Sequence, residues 1–150
     1  MNIFILDYDL KKNAEYHCDQ HVNKMILEAA QMICTIASNH GISVPYKATH
    51  AKHPCTIWAA SRMSNYIYLC DYAYYLNEEA KRRYNRSTDH KSWQVIESLD
   101  YPVLPSGSMT MFAKAMPEEF KSIEDTVEAY RAYYKTKEFA KWKTSKPEWF

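Results

Sequence analysis

One stretch near the start of the chain carries a line of side chains that could act as acid, base or nucleophile. Across residues 16–37 the apolar residues recur with the period of an α-helix. At about 100° per residue, the polar side chains of that helix fall on one line: His17, His21, Lys24, Glu28, Gln31 and Thr35. The rest of the circumference is apolar, which is typical of a buried helix, and titratable groups on a buried helix are either paired or functional. This polar stripe is therefore the candidate site.

The same stripe also fits the solvent-facing side of an amphipathic helix, in which Lys24 and Glu28 form an i,i+4 ion pair. Solvent faces usually carry several Lys and Glu residues, whereas this one offers two His, one Lys and one Glu. Histidine, lysine and glutamate are the residue types of acid–base and nucleophilic catalysis. The composition of the stripe therefore favours a catalytic role.

The length and composition indicate one globular domain over residues 1–150. The chain is 47% hydrophobic but has no apolar run long enough to cross a membrane, so no membrane segment is expected. Its start, MNIFILDYDLKK, lacks the basic segment and cleavage site of a signal peptide, which predicts a cytoplasmic protein. Two glycines in 150 residues exclude the Gly-rich loops that bind nucleotide phosphates, and no cofactor is expected. The four cysteines form no CxxC pair and are expected to be reduced core residues.

Helical periodicity dominates and strand alternation is almost absent, which predicts an all-α fold with two long central helices and long loops. The first long helix is predicted over residues 16–37, with Gly41 as its C-terminal stop, and the second over residues 56–84. Shorter helices are predicted over residues 91–99 and 125–135, with a helix entry at Pro117. Residues 1–6 form either a strand or an extended arm against the first helix. The loop over residues 42–54, which carries His50 and His53, is expected to fold over the site.

In the second long helix, Arg62 and Asn65 share a face with Trp58. This spacing predicts that the two long helices face each other across one polar seam, with these three side chains on the substrate side together with His53. The alternative is an ordinary amphipathic helix in which Arg62 pairs with a surface acid.

The overall charge neither requires nor excludes a nucleic acid partner. The formal net charge is +1 and the pI is near 7.7, whereas proteins that bind duplex DNA usually carry a clear positive excess. The chain has 13 Tyr and 4 Trp, and aromatic side chains such as Trp142 can stack on unpaired or flipped bases. The alternative is that these aromatic residues only fill the core and the surface.

Three segments resemble the small all-helical pyrimidine dimer DNA glycosylases, the phage-type endonuclease V enzymes. They are DQHVNKMILE at residues 19–28, the Tyr-rich helix that ends in EEAKRRY, and AMPEEF followed by a Tyr-rich helix and a tryptophan near the C-terminus. They occur in the family's order and at comparable spacing, and the first is the chemically specific one. In the family an Asp-Gln-His element precedes the catalytic Glu by the interval that separates residues 19–21 from Glu28 in this chain.

The resemblance implies a nucleophile at the start of the chain. In this family an α-amino group attacks C1′ of the damaged nucleotide, the base leaves, and the Schiff base permits β-elimination. Carried over by position, Glu28 is the catalytic carboxylate and His21 its neighbour on the substrate side. Asn2 is a bulky second residue that leaves Met1 in place, so the nucleophile is the Met1 amine. Because α-amino groups have pKa values of roughly 7.7 to 8.0, an appreciable fraction of such amines is neutral near physiological pH.

The chain departs from the family at two positions. The family has Arg before its Glu and again three residues after it, where both help to bind phosphate, and this chain has Leu27 and Gln31. A modified pyrimidine in duplex DNA, in a single strand or in a free nucleoside would therefore fit equally. Gln31 and His17 are expected to contact the substrate. A monomer is expected, and the Gly-poor, Tyr-rich composition suggests a viral protein in the host cytoplasm.

Three other readings of these residues stay open. Lys24 could supply the amine in place of Met1. His17 and His21 at i,i+4 could hold a metal in a hydrolase, with Glu28, His50, His53 or Asp19 completing its ligands. Alternatively, the chain is a non-enzymatic nucleic-acid-binding or adaptor protein whose contact surface is the aromatic tail over residues 142–150.

Overall fold

The computed structural model describes residues 1–150 and contains helices but no strand, which confirms the all-α prediction. There are seven helices: α1 Leu10–Tyr16, α2 Asp19–Asn39, α3 Pro54–Ala60, α4 Met63–Tyr84, α5 Lys91–Ser98, α6 Glu118–Lys121 and α7 Thr126–Tyr134. The long helices α2 and α4 pack against each other more extensively than any other pair. No helix is both long enough and apolar enough to cross a membrane.

The helix predicted over residues 16–37 is in fact two helices. α1 ends at Tyr16, His17 has extended backbone (ψ 134°), and α2 begins at Asp19. The hydroxyl of Tyr134 accepts the backbone N–H of Cys18 at the break (2.9 Å). The prediction was wrong because apolar residues continue through the break, and periodicity alone does not register a change in chain direction. His17 is therefore not on the same helix face as His21.

The helix predicted over residues 56–84 is also broken. α3 ends at Ala60 and α4 begins at Met63, with Arg62 in extended conformation between them (φ −148°, ψ 146°). The buried amide of Asn65 donates to the backbone carbonyl of Trp58 (2.8 Å) and so binds the end of α3 to the start of α4. A helix–turn–helix junction was not predicted because neither Gly nor Pro marks it.

Residues 1–6 form an extended arm and not a strand. The arm runs through the core, with Asn2 to Leu6 all buried. It has no neighbouring strand, so side chains accept its backbone N–H groups: Phe4 donates to the Tyr72 hydroxyl (3.3 Å) and Leu6 to the Asn13 side chain (2.7 Å). These bonds satisfy donors that would otherwise be costly to bury.

Arg83 connects α4 to the break between α1 and α2. Its side chain is fully buried and donates to the backbone carbonyls of Glu15 (3.1 Å) and His17 (2.8 Å). It also pairs with the carboxylates of Glu79 (3.0 Å) and Asp19 (3.1 Å). One guanidinium thus satisfies carbonyls at the end of α1 that have no helical partner.

The variant Arg83→Met should lower the free energy of unfolding by roughly 3 to 5 kcal/mol, because it leaves buried acceptors and carboxylates without their donor. Arg86→Met is the control: Arg86 is exposed and donates only to Asn23 (3.1 Å), so the loss should stay below about 1 kcal/mol. Chemical denaturation measures both values. Equal losses of stability in the two variants would show that the buried contacts of Arg83 contribute no more than the surface contact of Arg86.

Candidate active site at the start of the chain

The arm places the Met1 α-amine beside Glu28. The amine nitrogen is 3.2 Å from Glu28 Oε1, and the backbone N–H of Asn2 donates to the same oxygen (3.1 Å). Lys24 Nζ lies 3.8 Å from the other oxygen, Oε2, one turn earlier on α2. Glu28 is only 8% exposed, whereas the Lys24 side chain is 53% exposed. A nearly buried carboxylate is thus held between the α-amine of Met1 and the exposed ammonium group of Lys24.

His53 lies on the other side of the amine. It is the N-cap of α3, where its Nδ1 accepts the N–H of Cys55 (3.1 Å). Partial burial lowers the pKa of His53, and the positive charge of the Met1 amine lowers it further. The loop over residues 42–54 therefore brings His53 to the site.

His21 lies next to the arm as a neutral ring. It stacks on Phe4 at 4.8 Å, and burial lowers the pKa of His21 to about 3, with nearby positive charge adding to the effect. The Tyr134 hydroxyl accepts the N–H of Cys18 (2.9 Å) and is hydrogen-bonded to His21 Nδ1 (2.8 Å). The neutral ring cannot act as a cationic acid near neutral pH.

His17 is fully buried and turns away from the amine. Its Nδ1 lies 2.7 Å from the carbonyl of Asn13 and must donate to it, so Nε2 accepts from the Tyr72 hydroxyl (2.9 Å). Burial lowers the pKa of His17 to about 4, which keeps the ring neutral.

These contacts do not support the alternative reading in which His17 and His21 hold a metal. The i,i+4 geometry of His17 and His21 is lost at the helix break, and His17 uses both ring nitrogens within the core. No group of three or more His, Cys, Asp or Glu side chains is placed to hold a metal ion.

The other predicted contact residues are spread over the fold. Gln31 lies one turn beyond Glu28 and lines a surface groove between α2 and Tyr46. Arg62 donates to the Ser106 carbonyl (2.8 Å), and Asn65 donates to the Thr110 side chain (2.8 Å). Both therefore hold the loop before α6, and they do not form the predicted polar seam with the α2 stripe.

The two tryptophans predicted to contact the substrate, Trp58 and Trp142, pack against other parts of the protein. The indole of Trp58 donates to the Thr110 carbonyl (3.3 Å), and its ring packs 5.3 Å from Phe112. The indole of Trp142 donates to the Tyr16 carbonyl (3.0 Å), and its ring packs 4.8 Å from Phe150. The tail over residues 142–150 is thus folded onto the domain, with residues 143–146 exposed on its surface.

Several residues at the site were not selected from the sequence. Asn2 and Tyr130 form a hydrogen bond directly behind the amine (2.8 Å), and Tyr134 orients His21. Tyr130 and Tyr134 are four residues apart on α7, so both hydroxyls lie on one helix face. This spacing was visible in the sequence, but nothing in it showed that the face meets the N-terminal arm.

The geometry suits nucleophilic attack by an amine. The attacking nitrogen must lose a proton, and Glu28 Oε1 is the acceptor at 3.2 Å. The carboxylate also lies where it can stabilise positive charge that develops at a neighbouring carbon.

A sequence model of the family described as pyrimidine dimer DNA glycosylase matches residues 1–92, more than half of the 150-residue chain. No curated protein and no solved structure gives a significant match. The matched residues include Met1, Lys24, Glu28 and His53, and they end before α7.

The two buried histidines predict a loss of stability in mild acid. Folding lowers their pKa values to about 4 for His17 and about 3 for His21, so the unfolded chain binds more protons below about pH 6.5. Above that pH the two histidines do not lower the free energy of unfolding. The free energy of unfolding should decline as the pH falls towards 4, by up to roughly 1.4 kcal/mol per pH unit for each histidine.

Denaturation curves between about pH 5.5 and 7 measure this slope, above the range in which ordinary carboxylates titrate. His21→Asn keeps a polar partner for the Tyr134 hydroxyl but cannot titrate, so its slope should be shallower than that of the wild type by up to roughly 1.4 kcal/mol per pH unit. A flat wild-type profile, or an NMR titration of either ring near pH 6.5, would contradict the assignment.

Proposed function

The chain belongs to the pyrimidine dimer DNA glycosylase family, and from this premise we propose that it excises a damaged or modified pyrimidine base from DNA through an imine to its Met1 α-amine. The observation that carries the proposal is the 3.2 Å contact between that amine and Glu28 Oε1. A nucleophile and its base within hydrogen-bond distance form the minimal machinery of covalent catalysis.

In the first step the neutral amine attacks C1′ and the bond from C1′ to the base nitrogen breaks. The electron pair of that bond leaves with the base. Glu28 accepts the proton that the amine releases and stabilises the positive charge at C1′. Opening of the sugar ring places a proton on O4′ and leaves a protonated imine between Met1 and C1′.

In the second step the imine withdraws electrons from C2′. Loss of a C2′ proton to a base allows the bond between C3′ and its phosphate oxygen to break, which cuts the strand by β-elimination. Hydrolysis of the imine then returns the free amine. Glu28 is the carboxylate within reach of these proton transfers, and the neutral ring of His21 lies beside the arm that carries the amine.

The cations nearest the site support DNA as the substrate, although the net charge is only +1. Lys24 is exposed on α2, and Arg86 donates to Asn23 beside it (3.1 Å). Lys137 Nζ lies 5.5 Å from the Phe4 ring, on which His21 stacks. Positive charge concentrated at the start of α2 can bind phosphates that the whole-protein charge would not predict.

Lys24 is the competing nucleophile, because its Nζ is also near Glu28 and is more exposed than the Met1 amine. Borohydride reduction during incubation with DNA that carries an abasic or dimer site decides between them. We expect a covalent adduct, mapped by mass to Met1, at wild-type yield in Lys24→Met.

The protein for this experiment must have a free Met1 amine, confirmed by intact mass, and no N-terminal tag. An adduct on Lys24 would keep the reaction class and reject Met1 as the nucleophile. The absence of any adduct on single-stranded and duplex substrates alike would contradict the imine mechanism.

Glu28→Gln should lower single-turnover base release by at least about 100-fold, because the amide cannot take a proton from the amine. DNA affinity should stay within about threefold of the wild type, since the shape of the side chain is kept. Glu97→Gln, at an exposed position on α5, is the control and should leave both quantities unchanged. Wild-type turnover in Glu28→Gln would exclude Glu28 from the chemistry.

A further inference from the structure

The carboxamide of Asn2 is buried directly behind the Met1 amine, and both of its polar atoms are bonded. Its Nδ2 donates to the Ala115 carbonyl (2.8 Å). Its Oδ1 accepts the backbone N–H of Ile3 (2.8 Å) and the hydroxyl of Tyr130 (2.8 Å). The residue next to the nucleophile is thus joined to the arm, to the loop before α6 and to α7.

Tyr130 connects these parts. It is fully buried on α7, and its hydroxyl accepts the N–H of Ala115 (3.2 Å). Its single proton faces Asn2 Oδ1 and the Ala113 carbonyl (2.9 Å). Tyr130 lies beyond residues 1–92, the part of the chain that the family match covers.

These bonds restrict the amine more than a general packing contact would. The side chain of Asn2 is fixed, and its backbone N–H is held by Glu28 Oε1 (3.1 Å), so the peptide plane between Met1 and Asn2 is fixed as well. Only rotation about the Cα–C bond of Met1 then moves the amine relative to Glu28. The Met1 side chain is only 5% exposed and packs against the core, which opposes that rotation.

We propose that Asn2 and Tyr130 are positioning residues that hold the Met1 amine at Glu28 for attack on C1′. This inference rests on the imine chemistry proposed above. Neither side chain touches the reacting atoms. Together they set the position of the amine nitrogen, and small errors of position in a nucleophile reduce rates strongly.

The variants Tyr130→Phe and Asn2→Leu remove these bonds with little change of volume. Leu is used at position 2 because it has neither donor nor acceptor, and because a small residue there would promote removal of Met1 and change the nucleophile. Tyr68→Phe is the matched control: the Tyr68 hydroxyl is also buried but has no hydrogen-bond partner. Intact mass confirms Met1 in every protein.

The rate of borohydride-trapped adduct formation on abasic DNA should fall roughly 10- to 100-fold in Tyr130→Phe and in Asn2→Leu. Affinity for DNA with a tetrahydrofuran abasic analogue, which cannot form an imine, should stay within about threefold. The trapping rate of the double variant should be only slightly lower than that of the more impaired single variant, because both changes break one network. Tyr68→Phe should behave as the wild type in each assay.

Hydrogen exchange of the Asn2 and Ile3 amides gives a readout independent of activity. Both amides should be protected in the wild type and in Tyr68→Phe, and both should exchange faster in Tyr130→Phe. A wild-type trapping rate in Tyr130→Phe would overturn this inference and leave the imine chemistry standing. If the wild type forms no adduct, the proposed function fails and the positioning role fails with it.

Discussion

The contact between the Met1 amine and Glu28 sets the main constraint on this structure. A charged amine and a carboxylate that is only 8% exposed are held 3.2 Å apart inside a helical domain. To reach Glu28, the first residues must run through the core without a strand beside them. Their backbone N–H groups therefore need side-chain acceptors, which Glu28, Tyr72 and Asn13 provide.

The last third of the chain completes a site whose acid and amine lie near the start. Tyr130 and Tyr134 reach the arm and His21 from one face of α7, and the Ala115 carbonyl receives the Asn2 amide. All three lie outside the residues that the family match covers. The geometry of the site therefore depends on contacts between distant parts of the sequence, among them the packing of α7 on the arm.

The sequence predicted what is local and periodic. Two long helices are present, each beginning later than predicted, and the stop after α2 is confirmed: Gly41 has φ +81°, and the N–H of Ile42 returns to the Ala37 carbonyl (3.0 Å). The breaks at His17 and Arg62 were not predictable, because long-range partners stabilise them, among them Arg83 and Thr110. For the same reason the i,i+3 and i,i+4 spacing correctly grouped Lys24 with Glu28 but placed His17 on a face it does not occupy.

The central claim is that the α-amine of Met1, and no other amine, is the reacting group. The most direct test is to place one glycine before Met1 and to compare adduct formation on abasic DNA with that of the unextended chain. The extension moves the free amine away from Glu28 and converts the Met1 nitrogen into an amide, while Lys24 and Glu28 are unchanged. The extended protein should fold and bind DNA but give almost no trapped adduct. An adduct at the unextended rate, on Lys24 or on any other side chain, would contradict the central claim.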